Sequence, residues 1–329
     1  MQRFLVVMLA LATLTLAGVP ARAEVSELRI VKQPGLSFLP LIIAERQKLI
    51  EKQARVRGID LKVSWVTLGS GGAAVDALLA GNVDLVSSGL TNALVAWSAS
   101  GGQIKAVTPL ASVPIILVTT NPNVKSLKDF TSADKIAVPT VKVSTQAVLL
   151  QMAAEQQLGD PHKLDYITVA LSHPDAYIAL KNNSGTVDSH FSNIPYEQLE
   201  LKLPGVHDVI SADQITGGPF TSATTFGTVK FHDANPKTIA AFHAAIAEAM
   251  DYIKNNKRAA AEIYLQESGE KWPLDEMVAL LNDKSMFYTN TPRNTYKIAD
   301  VMYRAGDIKM KATSWKDYYF PEVTALAGS

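Results

Sequence analysis

Ala77-Leu78-Leu79-Ala80-Gly81-Asn82-Val83-Asp84 is matched further along the chain by Ala179-Leu180-Lys181, then Gly185-Thr186-Val187-Asp188. Each stretch reads as the end of a helix, a glycine able to take the left-handed cap, and a strand opening on Val-Asp. One such stretch marks any αβ unit. Two, placed alike in successive parts of the chain, point to two similar lobes. Around the first copy, strands are expected over 28–31, 61–67, 83–86, 104–110 and 115–119, with helices over 40–55 and 73–80. Around the second copy, strands are expected over 136–138, 164–169 and 187–191, with helices over 144–158 and 174–181. Strands alternating with helices imply an α/β chain built on largely parallel sheets.

A run over 224–229 reads as a strand returning to the first lobe. Asn235-Pro236 then gives an N-cap with proline at the first helical position. Ile239, Phe242, Ile246, Met250 and Ile253 follow at helical spacing. Helices over 273–282 and 294–305 complete the reading. It yields a first lobe over 24–119 plus 222–329 and a second over 120–221. Two hinge crossings, near 119 and 222, join them.

The first residues form a separate unit. Arg3 is followed by an uncharged run over 4–17, by Gly18 and Pro20, and by the cleavage pattern Ala21-Arg22-Ala23. This is the three-part form of a secretory signal peptide, with cleavage expected after Ala23. The uncharged run is short for a membrane span, and no cysteine follows it as a lipid anchor point. Removing 1–23 leaves 306 of 329 residues, with 29 basic and 31 acidic side chains and a formal charge of −2. That balance offers no footprint for nucleic acid or an anionic membrane. The chain has no cysteine, which removes thiol nucleophiles, thiolate metal sites and disulfides.

In open α/β sheets, ligands bind beyond the carboxyl ends of the strands, where helix N-termini present N–H groups. The turns after the strands therefore supply the candidate ligand contacts. They are Gln33, Leu36, Ser37 and Phe38 after the first strand, Ser70 and Gly71 in Gly69-Ser70-Gly71-Gly72, and Gly89, Thr91 and Asn92 after the next. The second lobe adds Lys142, Ser144 and Thr145, then His190, Phe191 and Asn193, and the returning strand adds Phe226. Ser144 is also a helix cap, and Phe38, Phe191 and Phe226 also suit a core. Lys32, Lys142 and His190 are the cations that stand near these turns. Catalysis finds little support. The six histidines form no H-x-x-x-H pair, no G-x-S-x-G elbow occurs, and neither a dinucleotide fingerprint nor a P-loop is present. No metal site and no cofactor are expected.

Several stretches in order resemble the nitrate/sulfonate/taurine branch of ABC-transporter solute-binding proteins, which includes thiamine-precursor-binding relatives. They are Phe38-Leu39-Pro40-Leu41, Gly69-Ser70-Gly71, Leu79-Ala80-Gly81-Asn82-Val83-Asp84, Ser126-Leu127-Lys128-Asp129-Phe130, Ile136-Ala137-Val138-Pro139 and Ser314-Trp315-Lys316-Asp317-Tyr318-Tyr319-Phe320-Pro321-Glu322. The resemblance implies a type II periplasmic-binding-protein fold that closes on its hinges. It also implies a partner permease and its ATPase; with the expected signal peptide, a periplasmic monomer is expected. The turn over 89–92 lacks the family's usual proline and that over 139–142 its glycine, so the resemblance does not carry a ligand. A small organic acid or sulfonate-like anion is expected. The alternatives are a flat, pyrimidine-like ligand held by Phe38 or Phe191, a periplasmic enzyme acting on one with His190, or a sensor subunit.

Overall fold

The computed structural model describes residues 24–269 and 271–329. The expected signal over 1–23, with its cleavage point, lies outside the described residues. The strands are β1 (Glu27–Lys32), β2 (Lys62–Thr67), β3 (Leu85–Gly89), β4 (Ile104–Ser112), β5 (Ile115–Thr119), β6 (Ile136–Val138), β7 (Thr168–Ala170), β8 (Ser189–Asn193), β9 (His207–Ser211), β10 (Ala223–Thr228) and β11 (Phe287–Tyr288). They form two sheets, in the orders β11-β4-β10-β3-β1-β2 and β7-β6-β8-β5-β9.

The two sheets share one plan. In the first, β1 lies parallel to β2 and β3, and β10 runs antiparallel between β3 and β4. In the second, β6 lies parallel to β7 and β8, and β5 runs antiparallel between β8 and β9. In each sheet the antiparallel strand in the interior is the one that arrives from the other lobe; the first sheet also carries β11, antiparallel to β4, at its edge. This is the two-lobed type II arrangement.

The first crossing lies earlier than the sequence suggests. Ile115 to Thr119 pair with Asn193 to Ser189 of β8, so the chain leaves the first sheet after Ser112 and crosses at Val113 and Pro114. A short β-branched run pairs equally well in either sheet, and its letters do not say which. The return path runs over 217–222. Ser222 N–H donates to the Ala111 carbonyl at 2.9 Å, tying the two crossings together.

The repeated Val-Asp pairs precede their strands rather than open them. Val83 and Val187 are buried. The Asp84 carboxylate accepts the backbone N–H of Arg29 at 2.8 Å, and the Asp188 carboxylate accepts that of Lys135 at 2.9 Å. In both lobes one carboxylate thus holds the entry of the neighbouring parallel strand. β3 and β8 begin two residues beyond the expected starts.

Other differences have local causes. The helix expected over 40–55 is two helices, Leu39–Arg46 and Leu49–Val56, separated where Lys48 takes the left-handed conformation (φ 51°). The strand expected over 164–169 is a short 3-10 turn, Asp165–Ile167, followed by β7. Helix Leu90–Ala99 has no counterpart among the expected elements. Most of its residues are buried, so its sequence carries no polar–apolar period. Helix Pro236–Asn255 buries Ile239, Phe242, Ile246 and Ile253. Asn235 does not cap it by its side chain. Instead the Glu24 carboxylate accepts the N–H groups of Lys237 and Thr238 at 2.8 and 3.0 Å. Among the described residues, no helix is long and apolar enough to cross a membrane.

Replacing Asp188 by alanine leaves the Lys135 N–H without its acceptor and removes a 2.7 Å bond from the Ser189 hydroxyl. A hydrogen bond to a charged group contributes about 1.5–3 kcal/mol. Urea unfolding of Asp188→Ala should therefore show a loss of about 2 kcal/mol. Asp188→Asn should retain part of it, since the amide oxygen still accepts.

Candidate functional site

Four helices begin at one cavity between the lobes. Gly71 opens helix Gly71–Leu79, Gly89 precedes helix Leu90–Ala99, Ser144 and Thr145 open helix Thr145–Leu158, and His173 and Pro174 open helix His173–Lys181. All of these residues line the cavity, with Gln33, Pro34, Ser37, Phe38, Gly69, Asn92, Ile115, Pro139, Gln146, Asn193, Ser222 and Ala223. Its volume is ≈ 40 Å³, room for the centres of about three waters. A larger ligand requires the lobes to part. Among the described residues, no lysine, arginine, aspartate or glutamate lines it. Each helix start sets the positive end of its dipole beside the cavity, and several first-turn N–H groups are already engaged: Gly72 by Thr140, Ala73 by Ser70, Leu90 by Ser222, Ala147 by Ser144 and Asp175 by Ser172.

The lobes meet around this space. The Thr91 hydroxyl donates to the Val143 carbonyl at 2.7 Å. Gly72 N–H donates to the Thr140 hydroxyl at 3.3 Å, and Leu36 N–H to the Ile194 carbonyl at 3.3 Å. Gly89 is needed for the close approach: a Cβ there would lie 2.4 Å from Oγ1 of Thr145. Ser70 and Ser144 both cap their helices, accepting the N–H of Ala73 and of Ala147 at 3.2 Å each. The Oδ1 of Asn193 is buried with no protein partner.

Of the residues expected from sequence, Gln33, Ser37, Phe38, Gly71, Gly89, Asn92, Ser144, Thr145 and Asn193 line the cavity. The others stand elsewhere. Leu36 is buried in the core, and its carbonyl accepts the Tyr288 hydroxyl. Ser70 caps its helix beside the lining residues. Thr91 clasps the lobes together. Phe191 belongs to the core cluster that holds Ala147 and Leu150, and Phe226 to the one that holds Val31 and Val86; neither ring lines the cavity. Lys142 is exposed in a separate surface depression with His162 and Asp307. Lys32 is buried but ion-paired to Glu45 and Glu267. His190 is fully buried behind His173. None of the three expected cations reaches the cavity.

Sequence reading missed Gln146 and His173. The signal for His173 was present: Ser172-His173-Pro174-Asp175 is a cap, a proline and an acid directly after β7, and Ser172 accepts the Asp175 N–H. Nδ1 of His173 lies 2.8 Å from Nε2 of His190. Nδ1 of His190 lies 2.6 Å from Oε1 of Glu200. Nε2 of His173 lies 3.2 Å from Nε2 of Gln146. Burial, and then the neighbouring His190, hold the His173 imidazole well below its ordinary range. Beside this chain, burial and then the Glu200 carboxylate push Glu197 up to about 8.

Glu197 therefore binds a proton more tightly folded than unfolded. Between its unfolded value near 4.5 and its folded value near 8, the folded state holds more protons. Its contribution to stability is present at low pH and is lost as pH rises through that window. Urea unfolding at pH 5 and pH 8 should show Glu197→Gln losing less stability over the interval than the parent protein, by on the order of 1–3 kcal/mol.

The family model of the NMT1-like family matches residues 21–265. Among curated proteins none matches the chain by sequence. Among solved structures, the alkanesulfonate-binding protein of Xanthomonas axonopodis pv. citri bound to MOPS is similar at 19% identity and TM-score 0.69, over 90% of this chain and 98% of that one. The periplasmic aliphatic sulphonate binding protein of Escherichia coli is similar at 22% identity and TM-score 0.66, over 93% and 95%. The periplasmic nitrate-binding protein of Synechocystis PCC 6803 is similar at 15% identity and TM-score 0.70, over 90% and 84%. These likenesses share the fold, and with a family match over most of its length the chain belongs to the NMT1-like family.

Proposed function

We propose that this protein is the periplasmic solute-binding receptor of an ABC importer. It binds a small anion, a sulfonate or an organic acid, in the interlobe cavity and delivers it to a permease and its ATPase. The observation that carries this reading is the convergence of four helix N-termini on a cavity with no acidic side chain in its wall. Backbone N–H groups and helix dipoles bind an anion without a matching cation. The structural relatives named for sulfonate and nitrate binding support the same ligand class.

The flat aromatic ligand is less well served. Phe38 is the one ring of the three candidates in the cavity wall, since Phe191 and Phe226 pack in core clusters. An enzymatic reading needs an activated nucleophile. Three serines line the cavity, yet His173 hydrogen-bonds Gln146 and His190 instead.

The test is a thermal-shift screen of methanesulfonate, taurine, acetate, nitrate and pyrimidines, with the incubated compounds analysed for conversion. An anion at ~100 times its Kd should stabilise the protein by about 2.7 kcal/mol and be recovered unchanged. Stabilisation by pyrimidines alone, or conversion of the stabilising compound, would overturn the reading. Ser144→Ala should weaken anion binding roughly tenfold by calorimetry and cost about 1 kcal/mol in urea unfolding through the lost cap.

A further inference from the structure

A carboxylate and two imidazoles run in series from the interior of the second lobe to the cavity. Glu200, on helix Tyr196–Glu200, meets His190 of β8, which meets His173 at the start of helix His173–Lys181. Glu200 and His190 are fully buried and His173 nearly so. Only His173 of the three lines the cavity, and among the described residues it is the one histidine there. Simple packing requires none of these groups, and burying three titratable side chains is costly unless they serve one another.

The chain admits two proton arrangements. In one, His190 donates from Nδ1 to Glu200, His173 donates from Nδ1 to Nε2 of His190, and Nε2 of His173 is an acceptor, meeting the Gln146 amide N–H. The chain then carries the negative charge of Glu200, two side chains behind the cavity wall. In the other, one more proton is present. It enters at Nε2 of His173, and the proton on Nδ1 of His173 passes to Nε2 of His190. His190 is then an imidazolium paired directly with Glu200. His173 stays neutral as its other tautomer, with N–H at Nε2. One proton from solvent cancels the charge of Glu200 within the chain and turns Nε2 of His173 from acceptor to donor, with the Gln146 amide rotating away its NH2 group to leave that N–H for a ligand.

We propose that the Glu200–His190–His173 chain is a proton-coupled recognition element: a small anion entering the cavity draws one proton into the chain, and the Nε2–H of His173 then holds the anion. This rests on the anion-receptor reading above. The neighbouring groups are consistent with it. Burial and His190 disfavour a charge on His173 itself, so the added charge rests beside Glu200. Glu197, raised to about 8 with Asp283 adding to the push, faces the chain as a neutral carboxyl at lower pH and adds a second repulsion above it. The Tyr196 ring stacks on His173 with centroids 6.0 Å apart. Asp175, on the helix that His173 opens, is bound by the Ser172 hydroxyl. Strands β5 and β6 and the first two turns of helix Thr145–Leu158 contribute no titratable group.

The test is titration calorimetry of methanesulfonate, taurine, acetate and nitrate from pH 5.5 to 9, each in two buffers of different ionisation enthalpy, which counts protons exchanged on binding. The proposal expects uptake approaching one proton over part of the range, with Kd weakening about tenfold per pH unit there, the slope of one linked proton. His173→Gln should bind more weakly and without proton uptake. Glu200→Gln, which keeps the shape but removes the charge that holds the extra proton, should also lose most of the uptake. Binding of an anion with no uptake anywhere in the range would overturn the proposal and leave the receptor reading standing. If none of the four anions binds at any pH, the receptor reading and this proposal fall together.

Discussion

An anion can be held without a cation only where several backbone N–H groups are brought to one point and water is kept out. On the proposed anion reading, the architecture of this molecule serves that requirement. A single helix start offers few donors, and solvent screens it. Here the carboxyl ends of parallel strands in two sheets face each other, and the helices that follow them begin at a shared cavity. The antiparallel strands β5 and β10, each arriving from the opposite lobe, fix the two sheets in that relation. The clasp from Thr91 to Val143 and the bare Gly89 backbone bring the lobes close enough to leave a cavity of only ≈ 40 Å³ between them.

The cations near the cavity are disposed so as not to compete. Lys32 is taken up by Glu45 and Glu267, and Lys142 lies on the outer surface. A receptor that must release its ligand, the role proposed for this protein, gains from this arrangement. A buried full charge left behind on release would cost far more than helix N–H groups that recover water. The one titratable group in the wall, His173, connects to a buried carboxylate rather than to solvent.

The lobed plan was legible because the Val-Asp repeat has a structural cause. Each aspartate holds the entry of a neighbouring strand, so the letters recur where the plan recurs. The glycine-rich turn and the Ser144 cap were legible because caps and close approaches demand particular residue types. The features hidden in the letters depend on tertiary pairing. The run 115–119 reads as a strand of either sheet, and only its partners place it. Helix Leu90–Ala99 is buried on nearly all sides and so has no period to detect. The rings of Phe191 and Phe226 sit beside polar turn residues in sequence, but alternation along a strand turns them into the core. His173 escapes notice because β7 is only three residues long, and a strand expected over 164–169 ends short of the turn that carries it.

Recognition of negative charge by aligned helix starts is tested most directly by the ratio of two dissociation constants. They are those of methanesulfonate and its neutral isostere, methanesulfonamide, at one pH and ionic strength. Hydrogen bonds to a charged acceptor exceed neutral ones by about 1–1.5 kcal/mol each, and several act together. The sulfonate should bind at least about tenfold more tightly. Equal affinities, or tighter binding of the sulfonamide, would contradict an anion site built from helix starts.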